Sequence, residues 1–244
     1  MIILKTFSVS LLPIVSNFLI ISTEGYFITT PTSPTTTVTG MVVGTYVFRW
    51  TITNGACVSF SDVTITIVSG PTVAAAGPAQ SLCLATSTTL SGNTPLVGTG
   101  SWAFVSGPNT PTINTPTSPT TSVTGLIPGV YTFRWTISFA NCTPSASNVI
   151  VTIYDNPTVS NAGPNQTICS TTTTMAANSA VIGTGLWIKL SGPAATITTP
   201  TSPTTTITGM TAGTYVFQWT ISNGICPPSS STVQITVSPA PTTA

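Results

Sequence analysis

Five cysteines are the residues in this chain whose type and spacing most readily do chemistry, and that chemistry is oxidation to disulfides. Cys57, Cys142 and Cys226 recur at almost equal intervals, and Cys83 and Cys169 stand at matched distances before the second and third of them. The matched separations predict one disulfide inside each of two copies of a repeat, Cys83 with Cys142 and Cys169 with Cys226. Cys57 is left without a mate. Closing a loop of that length stabilises a small domain by roughly 4 kcal/mol through chain entropy. A metal site is the competing use of such thiols, but there is no Cys-x-x-Cys and no histidine, and two thiols do not close a zinc site. Disulfides imply an oxidising compartment: the periplasm, the cell surface or the outside.

Other chemistry is poorly supplied. The three acids, Glu24, Asp62 and Asp155, are too scattered to suggest a general acid–base pair. Without histidine a Ser-His-Asp arrangement is impossible, so the chain reads as a non-enzyme without a cofactor. Asp155 beside Asn156 is too little oxygen chemistry for calcium and reads as a turn. Four basic residues, Lys5, Arg49, Arg134 and Lys189, cannot make the positive footprint of a nucleic-acid binder. No internal run approaches the ~20 apolar residues of a spanning helix, so no membrane span is expected. Charged residues are only 3% against roughly 25% in ordinary domains, yet 41% of residues are hydrophobic. That combination gives a folded, neutral chain and not a disordered one.

The elements that must position the cysteines repeat with them. Trp50, Trp135 and Trp219 each precede a cysteine by the same short interval, inside "TYVFRWTI", "VYTFRWTI" and "TYVFQWTI". These strands alternate, with Tyr46, Phe48 and Trp50, then Tyr131, Phe133 and Trp135, then Tyr215, Phe217 and Trp219 on the inward face as core aromatics. A second alternating strand follows each after an Asn-Gly or Pro-rich turn, so each pair reads as a hairpin. Short strands broken by Gly and Pro predict an all-β fold of tandem β-sandwich domains, three copies of about 84 residues. The expected boundaries are 1–69, 70–155 and 156–239, with a tail at 240–244. Each unit is large enough for a core of its own, so the row reads as beads on a string.

The first copy lacks the strand that would carry its first cysteine, which falls at position zero when Trp50 is set on Trp219. Three readings fit the opening 1–25: a secretory signal, a divergent strand pair with "FLIIS" standing for "WIKLS", or a cut from a longer repetitive protein. A sandwich without its first strand exposes an open edge, so self-association or strand donation is expected there. Outward positions are mostly threonine, which suits a pleated surface and keeps it wettable without charge. Ser/Thr–Pro tracts can also carry O-glycans. Trp102 and Trp187 follow Gly-Thr-Gly turns at a phase different from Val105 and Leu190, which are expected to point inward. They fit a packed core or interdomain role, or a partly exposed platform for stacking sugars.

Taken together, "AGPNQTIC", "GTGLW", "SGPAATITTPTSPTTTITGM" and "AGTYVFQWTISNGIC" resemble the PKD-like, immunoglobulin-like repeats of very large surface proteins of Bacteroidetes-type bacteria. The resemblance covers the second and third copies and the first from about Ile28. It implies immunoglobulin/PKD-like sandwiches serving as stalk, filament or adhesin modules at the cell surface. Surface glycans or other surface proteins would be the partners. The Trp-Asp-Phe-Gly-Asp-Gly element of ordinary PKD domains is absent; "SWAFVSGP" stands in that region.

Overall fold

The computed structural model describes residues 26–239 together with the backbone of 15–20. The remainder of the opening 1–25 and the tail 240–244 lie outside the described residues, and with them Lys5 and Glu24. All described regular structure is β, and the chain divides into two compact units, Met1–Gly70 and Pro71–Ala244.

The first unit holds β1 (Val15–Ile20), β2 (Phe27–Ile28), β3 (Val38–Thr39), β4 (Gly44–Asn54) and β5 (Cys57–Ile67). Its sheets run β1-β4-β5 and β2-β3. Phe18 in β1 pairs with Trp50 in β4, so the divergent opening supplies a strand. Among the described residues nothing pairs with the outer edge of β5. Tyr46 and Phe48 are buried with Ile28 and Val38, whereas Trp50 is half-buried.

The second unit carries two sandwiches built alike. The first comprises β6 (Gln80–Cys83), β7 (Ser87–Ser91), β8 (Thr99–Ser106), β9 (Thr112–Ile113), β10 (Thr120–Thr124), β11 (Gly129–Ser138) and β12 (Ser145–Tyr154). The second comprises β13 (Gln166–Ile168), β14 (Thr173–Thr174), β15 (Thr184–Ser191), β16 (Thr196–Ile197), β17 (Thr206–Thr208), β18 (Gly213–Ser222) and β19 (Ser229–Val237). A four-stranded sheet, β6-β12-β11-β8 or β13-β19-β18-β15, faces a three-stranded one, β7-β10-β9 or β14-β17-β16. Each sandwich encloses its own core: Tyr131, Phe133 and Trp135 in one, Tyr215, Phe217 and Trp219 in the other, all fully buried.

The repeated "PTSPTT" has a definite use. The loop lies across a tryptophan, and its carbonyls take both N–H groups. Trp102 donates its backbone N–H to Pro116 at 2.8 Å and its indole N–H to Pro119 at 3.0 Å. Trp187 does the same to Pro200 and Pro203 at 2.8 and 3.3 Å. The buried Thr121 and Thr205 accept the backbone N–H of Thr115 and Thr199, so these threonines serve the interior. In all three copies a tyrosine hydroxyl also bonds the backbone four residues upstream: Tyr46 to Val42, Tyr131 to Ile127, Tyr215 to Thr211.

Across each central hairpin one outward pair changes while the backbone does not. Arg49 donates from Nε and Nη2 to Asp62 at 2.7 and 2.8 Å and lies over Phe60. Arg134 donates to Asn148 at 3.0 Å, and Gln218 faces Thr232. The hydrogen bonds from Arg49 hold the Asp62 carboxyl below its ordinary value, against a smaller desolvation effect. A depressed folded pKa gives stability that is present above the unfolded value of about 3.9 and lost as pH falls through the folded one. The pair is exposed, so its share of stability is small. By carboxyl-carbon NMR, Asp62 should titrate at lower pH in the folded chain than in the unfolded chain, and Arg49→Gln should remove the difference. An unchanged midpoint in that variant would refute the pairing.

Candidate functional site: the junction between the second and third repeats

The sulfur chemistry lies where the two sandwiches of the second unit meet. Cys83 ends β6, which runs parallel to β12 and sets Cys83 opposite Tyr154. The chain then turns sharply: Leu84, at φ 51°, donates its N–H to Tyr154 at 2.9 Å. From the other sandwich comes the β18–β19 turn, Asn223-Gly224-Ile225-Cys226, closed by a 3.1 Å bond from Cys226 N–H to Asn223 carbonyl. Gly224 sits at φ 54°, and a Cβ there would lie 2.3 Å from the Tyr154 ring, so the ring rests on bare backbone. Asn223 donates its side-chain amide to the Asp155 carbonyl at 2.8 Å. Within this socket Cys83 and Cys226 form a disulfide, with Cα atoms 5.1 Å apart.

This corrects the expected pairing. Neither Cys83–Cys142 nor Cys169–Cys226 forms, because Cys83 and Cys226 are joined to each other. Sheet geometry gives the reason. Cys142 lies in the turn between β11 and β12, beside Ser145, whereas Cys83 lies beside Tyr154 at the other end of β12. At about 3.3 Å per residue the two ends are roughly 30 Å apart, and a disulfide needs Cα atoms within about 7 Å. Cys169 and Cys226 are parted in the same way by the length of β19. The disulfide therefore joins neighbours instead of closing each core. Cys57 and Cys169 are exposed free thiols.

Trp102 and Trp187 require a second correction. They are 3% and 1% exposed and pack tilted on Trp135 and Trp219, with ring centroids 5.1 and 5.2 Å apart. Neither can stack a sugar. The inward positions of β8 are Gly100, Trp102 and Phe104, while Val105 and Leu190 are exposed. Both follow the regular alternation of their strands, and the register shift lies at the strand ends. Among the described residues no three metal-ligating side chains cluster. The cavity beside Trp219, about 320 Å³, is lined by small, hydroxyl and proline side chains without an ionisable group. Asp155 accepts the N–H of Asn156 at 2.8 Å, as a turn residue does.

The K319L-like, PKD domain family matches residues 76–153 and again 162–237, the two sandwiches that share this junction. The chain belongs to that family. No curated protein matches the sequence. Among solved structures, extracellular domains 3–5 of Drosophila OTK superpose with a TM-score of 0.50 at 12% identity, covering 92% of this chain and 85% of that one. Sidekick-1 immunoglobulin domains 1–4 give 0.50 at 13% identity, covering 97% and 71%. At such identities the likeness is one of fold: tandem immunoglobulin-like sandwiches. The PKD domain of KIAA 1837 protein is 30% identical over 37% of this chain and 92% of its own, with a TM-score of 0.31. No helix of the described residues is long and apolar enough to cross a membrane.

Sequence reasoning missed Tyr154 and Gly224 at the PKD junction. The Asn-Gly before Cys226 reads as an ordinary hairpin turn, and the glycine serves that turn. Its second use, admitting a tyrosine from the preceding PKD repeat, leaves no local signature.

Proposed function

We infer that this chain is a non-enzymatic extracellular protein whose PKD repeats form a stalk or filament segment of the cell surface, with neighbouring repeats stapled to one another. The observation that carries this reading is the Cys83–Cys226 disulfide across the second and third repeats. A disulfide needs an oxidising compartment, and one placed at a domain boundary carries tension from one module to the next. The socket of Tyr154, Asn223 and Gly224 aligns the end of one sandwich with the turn of the next. A surface of threonine with few charges suits a protein that is solvated but performs no chemistry.

The adhesive part of the reading rests on the outer edge of β5, which no described residue pairs, where strand addition by another surface protein or a second copy is available. The test is made on intact cells of the native host. Antibody should label the chain before permeabilisation, protease should remove it, and non-reducing peptide mapping of the shaved material should recover Cys83 joined to Cys226. A chain confined to the cytosol with both cysteines reduced would overturn the reading.

A further inference from the structure

We propose that Cys57 and Cys169 are the two halves of the same staple left open, and that they join one copy of this chain to the next, head to tail. The proposal rests on the stapled-array reading above and extends it from neighbours within a chain to neighbours between chains. Internal repetition is the ground for it. Register places Leu82 opposite Ile153 and Ile168 opposite Val237, so Cys169 occupies in the third repeat the place of Cys83 in the second. Cys83 is already bonded to the turn cysteine of the following repeat. On the other side, "NGAC" (residues 54–57) ends β4 as "NGIC" (residues 223–226) ends β18, and Gly55 at φ 59° repeats Gly224 at φ 54°.

The bonded and open halves differ in cover, as half-sites should. Cys226 is 4% exposed and Gly224 is covered by the Tyr154 ring, whereas Cys57 and Cys169 are exposed and no described residue lies within 4 Å of a Cβ built on Gly55. The third repeat keeps the parallel ladder that leads to this place, with the Ser238 N–H donated to Ile168 at 2.8 Å at the end of β13, but not the left-handed turn that Leu84 makes after Cys83. It lacks the ring, because Ser238 stands where the second repeat has Tyr154. Non-covalent affinity at this end is therefore weak and the bond itself must hold the copies. The contact is heterologous, a turn into a socket, so it does not close on itself and propagates as a linear chain.

The bond needs an oxidant, which a small-molecule disulfide such as oxidised glutathione supplies. The Cys169 thiolate attacks it, one glutathione leaves as thiolate, and a mixed disulfide remains. The Cys57 thiolate of the next copy then attacks the Cys169 sulfur and displaces the second glutathione. Two protein thiols lose two electrons and two protons, and the glutathione disulfide becomes two thiols.

The full chain at high concentration in a glutathione redox buffer should give a ladder of covalent multimers on a non-reducing gel. Mapped peptides should show Cys57–Cys169 at least tenfold over Cys57–Cys57 and Cys169–Cys169, where random pairing gives only about twofold over each. Cys57→Ser and Cys169→Ser chains should each remain monomeric alone and give dimers, and nothing longer, when mixed. Symmetric dimers of either single variant, links running to Cys142, or glutathione-capped monomers alone would overturn the proposal. The same digest reads Cys83–Cys226 independently. If that peptide is present and the ladder is not, the head-to-tail link fails and the stapled array stands; if that peptide is absent, both fail.

Discussion

Trp135→Ala should cost the second repeat about 3–5 kcal/mol, and Trp219→Ala the third repeat about as much. Domains of this size hold only about 0.05–0.15 kcal/mol per residue, so the loss takes a large part of the total. Both rings are fully buried and pack, tilted, against a second tryptophan. Their size is fixed from the facing strand. A Cβ at Gly100 would lie 2.0 Å from Trp135, and one at Gly185 would lie 2.1 Å from Trp219. Gly100→Ala and Gly185→Ala should therefore destabilise strongly too, by driving the ring out of its slot. The indole N–H of Trp135 and of Trp219 finds no acceptor among the described residues, so Trp→Phe loses volume but no hydrogen bond and should cost less than Trp→Ala. Denaturant melts followed by circular dichroism check the order. A Gly100→Ala chain as stable as the parent would show that this packing is loose.

What the sequence made legible follows from periodicity. "TYVFQWTI" alternates so strictly that the inward face of β18 can be read directly, and the same holds for β11 and β4. The paired hairpins and the family resemblance followed from those strands. The phase of Trp102 and Trp187 was not legible, because apolar residues also stand on the outward face of these strands: Val105 in β8, and Leu186, Ile188 and Leu190 in β15, are exposed. Counting inward from Val105 or Leu190 starts on an outward residue and so turns each tryptophan the wrong way. The threonine loops were legible as turns, yet Thr121 and Thr205 are indistinguishable by type from the exposed threonines around them.

The cysteine pairing failed for a different reason. In a periodic chain, a bond within copies and a bond to the next copy repeat equally well, so matched spacing cannot choose between them. The choice is made by strand direction. β6 runs parallel to β12, and this carries Cys83 away from the turn that holds Cys142. A short parallel edge strand has no signal that separates it from an antiparallel one.

Pulling the chain by its two ends should show the staple as a missing length. With Cys83 and Cys226 bonded, tension passes through the disulfide, and the residues between them, a separation of 143, bear no load. Unfolding both sandwiches then releases only the short segments before Cys83 and after Cys226. Reduction returns the hidden segment, and at about 3.4 Å per residue the fully extended contour should lengthen by roughly 490 Å. The first unit contributes equally in both states and cancels from the difference. Bonds within copies would instead hide two shorter segments, Cys83 to Cys142 and Cys169 to Cys226, each releasing roughly 200 Å on reduction. The two pairings therefore differ both in total length and in the number of steps. A single long increment on reduction supports a staple across the domain boundary, while two increments, each less than half as long, would return the bonds to the cores and remove the junction as the functional site.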